Sequence, residues 1–281
     1  MTTYLFPGQG SQHKGMGADL FDLYPDLVDL TDATLGYSIR KLCLDDEENL
    51  GKTQFTQPAL YVVSAFTYFQ KMHDTPTPPT FLVGHSLGEY NALLAASVFD
   101  FETGLKLVKK RAELMSKMQQ GAMAAVIGLS PLDITQILSD NELSLVSIAN
   151  YNSHTQTVMT GDRDQIAIAT TLLTNAKAKL IVPLKVNGAF HSPLMKEAQK
   201  QFAEFVSSFT FSAPHIPVIS NVTASPYEGR QIADYLVEQI TQPVRFTESI
   251  DYLISQGETE FEEVGPGNVL TGLVRRIKAG Q

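Results

Sequence analysis

A single cysteine, Cys43, stands in a chain of 281 residues. One thiol excludes an internal disulfide and any cysteine-rich metal site. Basic side chains are also the minority. Lys and Arg number 21 against 30 Asp and Glu, for a formal net charge of −9, so nucleic acid is not an expected partner. No apolar run approaches the length of a membrane span. The start, Met1-Thr2-Thr3-Tyr4-Leu5-Phe6-Pro7, lacks the basic region and long apolar core of a signal peptide. Internal repeats and low-complexity tracts are absent too. What is present, 43% hydrophobic and 18% charged residues, is ordinary for a soluble globular chain of one large domain or two unequal ones. The expected location is the cytoplasm, with no metal bound.

The stretch that organises the chain is Thr80-Phe81-Leu82-Val83-Gly84-His85-Ser86-Leu87-Gly88-Glu89-Tyr90. Phe81 to Val83 reads as a buried strand and Asn91 to Ala96 as a helix packed on a sheet. Between them Gly84-x-Ser86-x-Gly88 fits a nucleophile elbow, in which a strand turns at once into a helix and exposes a serine hydroxyl at the bend. Glycines two residues before and after let strand and helix approach without a clash. The first helix amides, beginning with that of Leu87, then face whatever attaches to the hydroxyl. A plain strand-loop-helix connector is the alternative.

Taken in order, Tyr4 to Phe6 is a strand that runs into the glycine-rich loop Pro7-Gly8-Gln9-Gly10-Ser11-Gln12. That loop lacks the Lys-Ser/Thr ending of a P-loop. It is either a simple turn or a set of amides for an anion or oxyanion. Met16 to Leu35 is helical in tendency with a break at Pro25. Asp45-Asp46-Glu47-Glu48 reads as a solvated loop. Pro58 stands near the first turn of a helix from Ala59 to Met72.

On the helix Phe101 to Met118, projection at about 100° per residue gathers Leu105, Leu107, Val108, Ala112, Leu114, Met115 and Met118 on one half. Arg111 falls in the middle of that apolar half. It either pairs with a structural carboxylate, snorkels, or, as we favour, holds a bound carboxylate.

Residues 122–187 read as a separate unit between two hinge glycines, Gly121 and Gly188. The expected strands are Ala122 to Leu129, Ser144 to Ala149, Thr155 to Thr160 and Leu180 to Val186. The expected helices are Pro131 to Ser139 and Asp162 to Ala176, and Asn150-Tyr151-Asn152-Ser153 is the expected turn. The order βαββαβ is the split unit of a ferredoxin-like domain. A helix to about Ser208, a strand over Pro217 to Val222, a helix over Ile232 to Ile240, a strand within Gly257 to Val264 and a helix over Leu270 to Ile277 complete the chain.

Ser86 needs a general base. His85 is its neighbour, and adjacent side chains diverge at an elbow. His73 ends a helix; His13, His154 and His215 are loop residues without a distinguishing context. His191 follows the last strand of the inserted unit, re-enters the larger one at a glycine, and lies downstream of the serine as this chain order expects. It is the preferred base, although no downstream Asp stands out as a third member.

Read together, Gly8-Gln9-Gly10-Ser11-Gln12, Gly84-His85-Ser86-Leu87-Gly88-Glu89-Tyr90, Arg111, Ala189-Phe190-His191-Ser192 and Glu263-Val264-Gly265-Pro266-Gly267 resemble the malonyl-CoA:acyl carrier protein transacylases over essentially the whole chain. The resemblance implies an α/β architecture: an α/β-hydrolase-like catalytic domain of residues 1–121 and 189–281 with a ferredoxin-like domain, 122–188, inserted in it. It implies that Ser86 is acylated, that His191 is the base, and that the Gln239 main-chain carbonyl orients it. The Gln9 and Leu87 amides become the oxyanion hole, and Arg111 the partner of the malonyl carboxylate. Gln57, His85, Asn152, Phe190 and Asn221 map near the acyl thioester.

Phe190 before the histidine is similar to malonyl-selective members. Gly36-Tyr37-Ser38-Ile39-Arg40 and Thr53 to Leu60 look like the discrete acyltransferases of trans-acyltransferase polyketide synthases, and the ending Lys278-Ala279-Gly280-Gln281 fits a discrete protein. The implied partners are malonyl-CoA and an acyl carrier protein that brings its own phosphopantetheine. No other cofactor, no membrane and a monomer are expected. A fatty-acid role, an acyl hydrolase and an inactive carrier-docking module are the alternatives.

Overall fold

A computed structural model describes residues 2–186, 188–228 and 231–280. Met1, Asn187 and Gln281, which enter the readings of the N-terminus, the insert and the C-terminal ending, lie outside the described residues. The strands are β1 (Thr2–Phe6), β2 (Phe81–Gly84), β3 (Ala122–Ile127), β4 (Val146–Ser153), β5 (Gln156–Gly161), β6 (Leu180–Pro183), β7 (Val218–Ile219) and β8 (Glu260–Glu263). They form two four-stranded sheets, in the orders β7-β2-β1-β8 and β4-β5-β3-β6. The protein is of the α/β class.

All pairings in the first sheet are parallel. Its alternating side chains divide the core. Leu5, Val83 and Ile219 pack with residues of the helices Phe246–Ser255 and Val269–Ala279. Tyr4, Phe6, Leu82 and Val218 pack in the larger cluster with the helix Thr53–Asp74 and the helix Gly88–Ala95. Period-two burial on both faces is what a parallel sheet sandwiched by helices requires. Because the strands run the same way, the chain leaves β1 towards Gln9, β2 towards Ser86 and β7 towards Asn221 at one edge. Open parallel sheets hold their sites at this carboxyl edge.

The second sheet is antiparallel and is built wholly from residues 122–183. One side carries the helices Pro131–Asp140 and Arg163–Asn175, with Val126, Ile134, Met159 and Leu173 in its own core. From the other side, Met123 and Val158 join the larger cluster. The segment departs and returns at one place: a Cβ on Gly121 would lie 2.7 Å from the Ala189 nitrogen. Backbone bonds from Val244 N to Ala149 O (2.8 Å) and from Tyr151 N to Val244 O (2.9 Å) tie β4 to the rest of the chain.

Those bonds explain one departure from expectation. Asn150 to Ser153 are not a turn but the end of β4, paired with β5 and bridged to Val244. Pro25 starts the helix Pro25–Leu35 and does not break a longer one, since residues 14–23 form successive turns; proline suits a first turn, where its missing N–H is no loss. The helix bearing Pro58 begins earlier, at Thr53, so the proline lies inside it. The acidic run is not a free loop. Asp45 ends the helix Ile39–Asp45, while Asp46 caps the helix Glu47–Leu50 and Glu47 and Glu48 occupy its first turn, where negative charge meets the helix dipole. Among the described residues no helix is long and apolar enough to cross a membrane.

Candidate active site

The elbow is as tight as its glycines require. A Cβ on Gly84 would come within 2.0 Å of the Glu89 nitrogen, and one on Gly88 within 2.0 Å of the Phe6 carbonyl oxygen. Gly88→Ala is therefore expected to destabilise the fold by about 3 kcal/mol, read as a lower denaturant midpoint. A midpoint unchanged from wild type would mean that the strand and helix tolerate separation. Ser86 sits at φ 52° and His191 at φ 58°, left-handed values that cost non-glycine residues about 1–3 kcal/mol each and gather at functional sites.

Ser86 Oγ lies 2.8 Å from His191 Nε2. On the far side of the ring, Nδ1 lies 2.7 Å from the Gln239 carbonyl oxygen and 3.2 Å from that of Gln242. Two acceptors there hold the proton on Nδ1, leaving Nε2 as the acceptor for the Ser86 hydroxyl. Burial first, and the Arg111 charge second, push the His191 pKa down to about 3. The imidazole is thus neutral, with its Nε2 lone pair facing the Ser86 hydroxyl.

Arg111 is only 1% exposed. Its Nη1 donates to Gln57 Oε1 (2.6 Å), and its Nη2 donates to Gln239 Oε1 (2.8 Å) and Ser86 Oγ (3.1 Å). Nε has no acceptor, and no ion pair among the described residues includes this arginine. A buried guanidinium held by neutral oxygens, pointing at the serine, is an anion site in waiting.

Gln9, Gln57, His85, Leu87, Phe190, Met115, Met123 and Asn150 line a cavity of about 80 Å³ together with Ser86, Arg111 and His191. Gln9 Nε2 donates to Thr53 Oγ1 at 3.2 Å. His85 Nε2 lies 2.8 Å from Asn152 Oδ1, and burial lowers the His85 pKa. A wider groove of about 600 Å³, walled by Leu138, Tyr151, Gln242 and Pro243, also opens onto His191.

Asn221 and Asn152 stand beside the cavity at Ser86 without lining it. Asn221 accepts from the Ser86 amide (2.7 Å) and donates to the Gly84 carbonyl (2.6 Å), so its amide clamps the elbow and both ends are occupied by backbone. Asn152 touches His85, while its neighbour Asn150 lines the cavity. Sequence reasoning also passed over Glu89, which is fully buried. The sequence offered one signal: an acid directly after the elbow, just ahead of the apolar run Ala92 to Ala96; in the structure every residue of its helix is buried. Burial pushes its pKa up to about 7, against hydrogen bonds from Asn221, Tyr227 and Gln239 and the nearby Arg111 charge.

A serine, a tautomer-fixed histidine and a buried arginine at the carboxyl edge of a parallel sheet are the parts of an acyl-transfer site for an acid-bearing acyl group. Comparison with known proteins agrees. Residues 3–278 match the acyl transferase domain family. The polyketide biosynthesis malonyl CoA-acyl carrier protein transacylase PksC of Bacillus subtilis is 54% identical over 280 residues, covering 99% of this chain and 97% of that one. A crystal structure of a malonyl CoA-acyl carrier protein transacylase from Burkholderia pseudomallei superposes with a TM-score of 0.97 at 51% identity, covering 100% of this chain and 99% of that one. A malonyl-transacylase in complex with its type II polyketide synthase acyl-carrier protein superposes with a TM-score of 0.93 at 36% identity, covering 98% and 92%. The chain belongs to the acyl transferase domain family and, within it, to the malonyl CoA-acyl carrier protein transacylases.

Proposed function

We propose that this enzyme moves a malonyl group from malonyl-CoA to the phosphopantetheine thiol of an acyl carrier protein, through a malonyl-serine, in polyketide synthesis in trans. The observation that carries the proposal is Arg111: a buried cation with an unpartnered Nε, whose Nη2 is 3.1 Å from Ser86 Oγ. Its fork matches a free carboxylate one carbon beyond the reacting carbonyl. The polyketide role rests on the identity to the Bacillus subtilis relative.

In the first half-reaction Ser86 attacks the thioester carbonyl while His191 Nε2 takes its proton. The imidazolium is stabilised by the Gln239 and Gln242 carbonyls at Nδ1. We assign the Leu87 and Gln9 amides to the tetrahedral oxyanion. Coenzyme A then leaves as the thiol with the proton from His191. In the second half-reaction the carrier thiol gives its proton to His191 and attacks the malonyl ester, and Ser86 Oγ recovers the proton as it leaves. The malonyl carboxylate neutralises Arg111, whose charge helps to hold the His191 pKa down, so the right substrate strengthens the base. The reaction needs no cofactor beyond its substrates.

We place catalysis in an α/β-hydrolase-like domain of residues 1–121 and 189–281, supported by the parallel sheet and elbow. Residues 122–188 form a ferredoxin-like insert, supported by the βαββαβ order and the strand sequence β4-β5-β3-β6. Cytoplasmic, monomeric action completes the proposal. The test mixes enzyme, malonyl-CoA and a holo-acyl carrier protein. Malonyl thioester on the carrier is the expected product; free malonate as the main product would make the protein a hydrolase.

Phe190 lines the cavity beside Ser86 and crowds the carbon between the two carbonyls. Methylmalonyl-CoA should lose about 1–3 kcal/mol in kcat/KM against malonyl-CoA, and Phe190→Ser should narrow that gap. Equal kcat/KM for both thioesters with the wild type would remove Phe190 from substrate choice.

A further inference from the structure

Beneath the nucleophile, Glu89 anchors a directional chain of hydrogen bonds. Its Oε1 accepts from the Asn221 backbone N–H and from the Tyr227 hydroxyl, each at 2.8 Å. Its Oε2 accepts from Gln239 Nε2. The same Nε2 donates to the Ser86 carbonyl at 2.9 Å. The Gln239 side-chain oxygen therefore faces away from Glu89, and there it accepts from Arg111 Nη2 at 2.8 Å. The main chain of Gln239 holds His191. Two acceptors at one end of the Gln239 amide and a guanidinium at the other permit only one orientation of that amide.

We propose that Glu89 is a positioning residue for substrate selection: its carboxylate sets the Gln239 amide, and that amide holds the Arg111 guanidinium over Ser86 in the pose that receives the acyl carboxylate. Glu89 acts on the substrate indirectly, through the Gln239 amide and the nearby Arg111 guanidinium. The inference rests on the assignment of Arg111 to the malonyl carboxylate.

Glutamine at position 89 exposes the logic. It carries one oxygen. With that oxygen on the Asn221 N–H and the Tyr227 hydroxyl, its NH₂ meets the Gln239 NH₂, donor against donor. Gln239 relieves the conflict by turning over, which presents its NH₂ to Arg111 and removes the acceptor that orients the cation. The hydrogen bond that Gln239 Nε2 donates to the Ser86 carbonyl is lost at the same time.

The experiment measures kcat/KM for malonyl-CoA and acetyl-CoA with wild type, Glu89→Gln, Tyr227→Phe and Arg111→Ala. Glu89→Gln should lower the malonyl-to-acetyl ratio on the order of 10- to 100-fold, the scale of a hydrogen bond to a charged group, in the same direction as Arg111→Ala. Tyr227→Phe removes one donor but keeps the carboxylate and its link to Gln239, so its ratio should move by less than about threefold. If Arg111→Ala changes the ratio and Glu89→Gln does not, Glu89 supports the fold alone and this inference falls. If Arg111→Ala leaves the ratio unchanged, the carboxylate assignment falls and takes the inference with it. Should Glu89→Gln fail to fold, Gln239→Leu cuts the same chain while keeping the main-chain carbonyl. The ratio should then fall likewise, and an unchanged ratio overturns the proposal.

Discussion

His191→Ala should slow acylation of Ser86 by malonyl-CoA by about 10²–10⁴, the usual worth of a positioned general base. The alanine removes the ring nitrogen that lies 2.8 Å from Ser86 Oγ. It leaves Arg111 Nη2 at 3.1 Å from that oxygen, so some stabilisation of the alkoxide survives and the rate does not fall to the uncatalysed level. The measurement is the single-turnover release of coenzyme A. A rate within about tenfold of wild type would place the base elsewhere.

Arg111→Ala should cost malonyl transfer about 3 kcal/mol, or roughly two decades in kcat/KM, because one partner of a buried charge pair is removed. Acetyl-CoA should gain relative to malonyl-CoA for two reasons. A neutral acyl group no longer sits beside an unpaired cation. The Arg111 charge that depresses the His191 pKa is also gone, so the base is stronger without any substrate carboxylate. Arg111→Lys should fall between wild type and alanine, and closer to alanine, since an ammonium lacks the two-pronged geometry. Equal losses on both thioesters would make Arg111 a structural residue.

The parts of this site that were legible in the sequence are those governed by local sterics or periodicity. The elbow is a local object: side chains at Gly84 and Gly88 would clash with the first helix residues, Gly88 and Glu89, and with the end of the neighbouring strand at Phe6 and Pro7, and a five-residue glycine pattern records that. Arg111 was legible because helical geometry assigns every residue to a face, and a cation on an apolar face demands an explanation. The base-orienting carbonyls of Gln239 and Gln242 leave no mark of side-chain type at all, since any residue supplies a carbonyl. Only the resemblance pointed to Gln239. The end of β4 was misread because Asn150 to Ser153 are turn-like in composition, and their strand geometry comes from β5 and Val244. The helix Phe246–Ser255 was missed, although it packs on one face of the first sheet, against Leu5, Val83 and Ile219. Only the resemblance pointed to Asn221, and its part as a clamp on the elbow could not be read from sequence. Its two bonds to the elbow exist only once β7 lies beside β2.

Catalysis as proposed here passes through a malonyl ester on Ser86, made by His191 and selected by Arg111. The most direct measurement is mass spectrometry of the Ser86-containing peptide after incubation with malonyl-CoA, followed by addition of holo-acyl carrier protein. The expected result is a malonyl adduct on Ser86 that disappears as the carrier thiol becomes malonylated, and no adduct in a folded Ser86→Ala variant. Labelling that persists in Ser86→Ala, or a Ser86 adduct that the carrier protein cannot discharge, would contradict it.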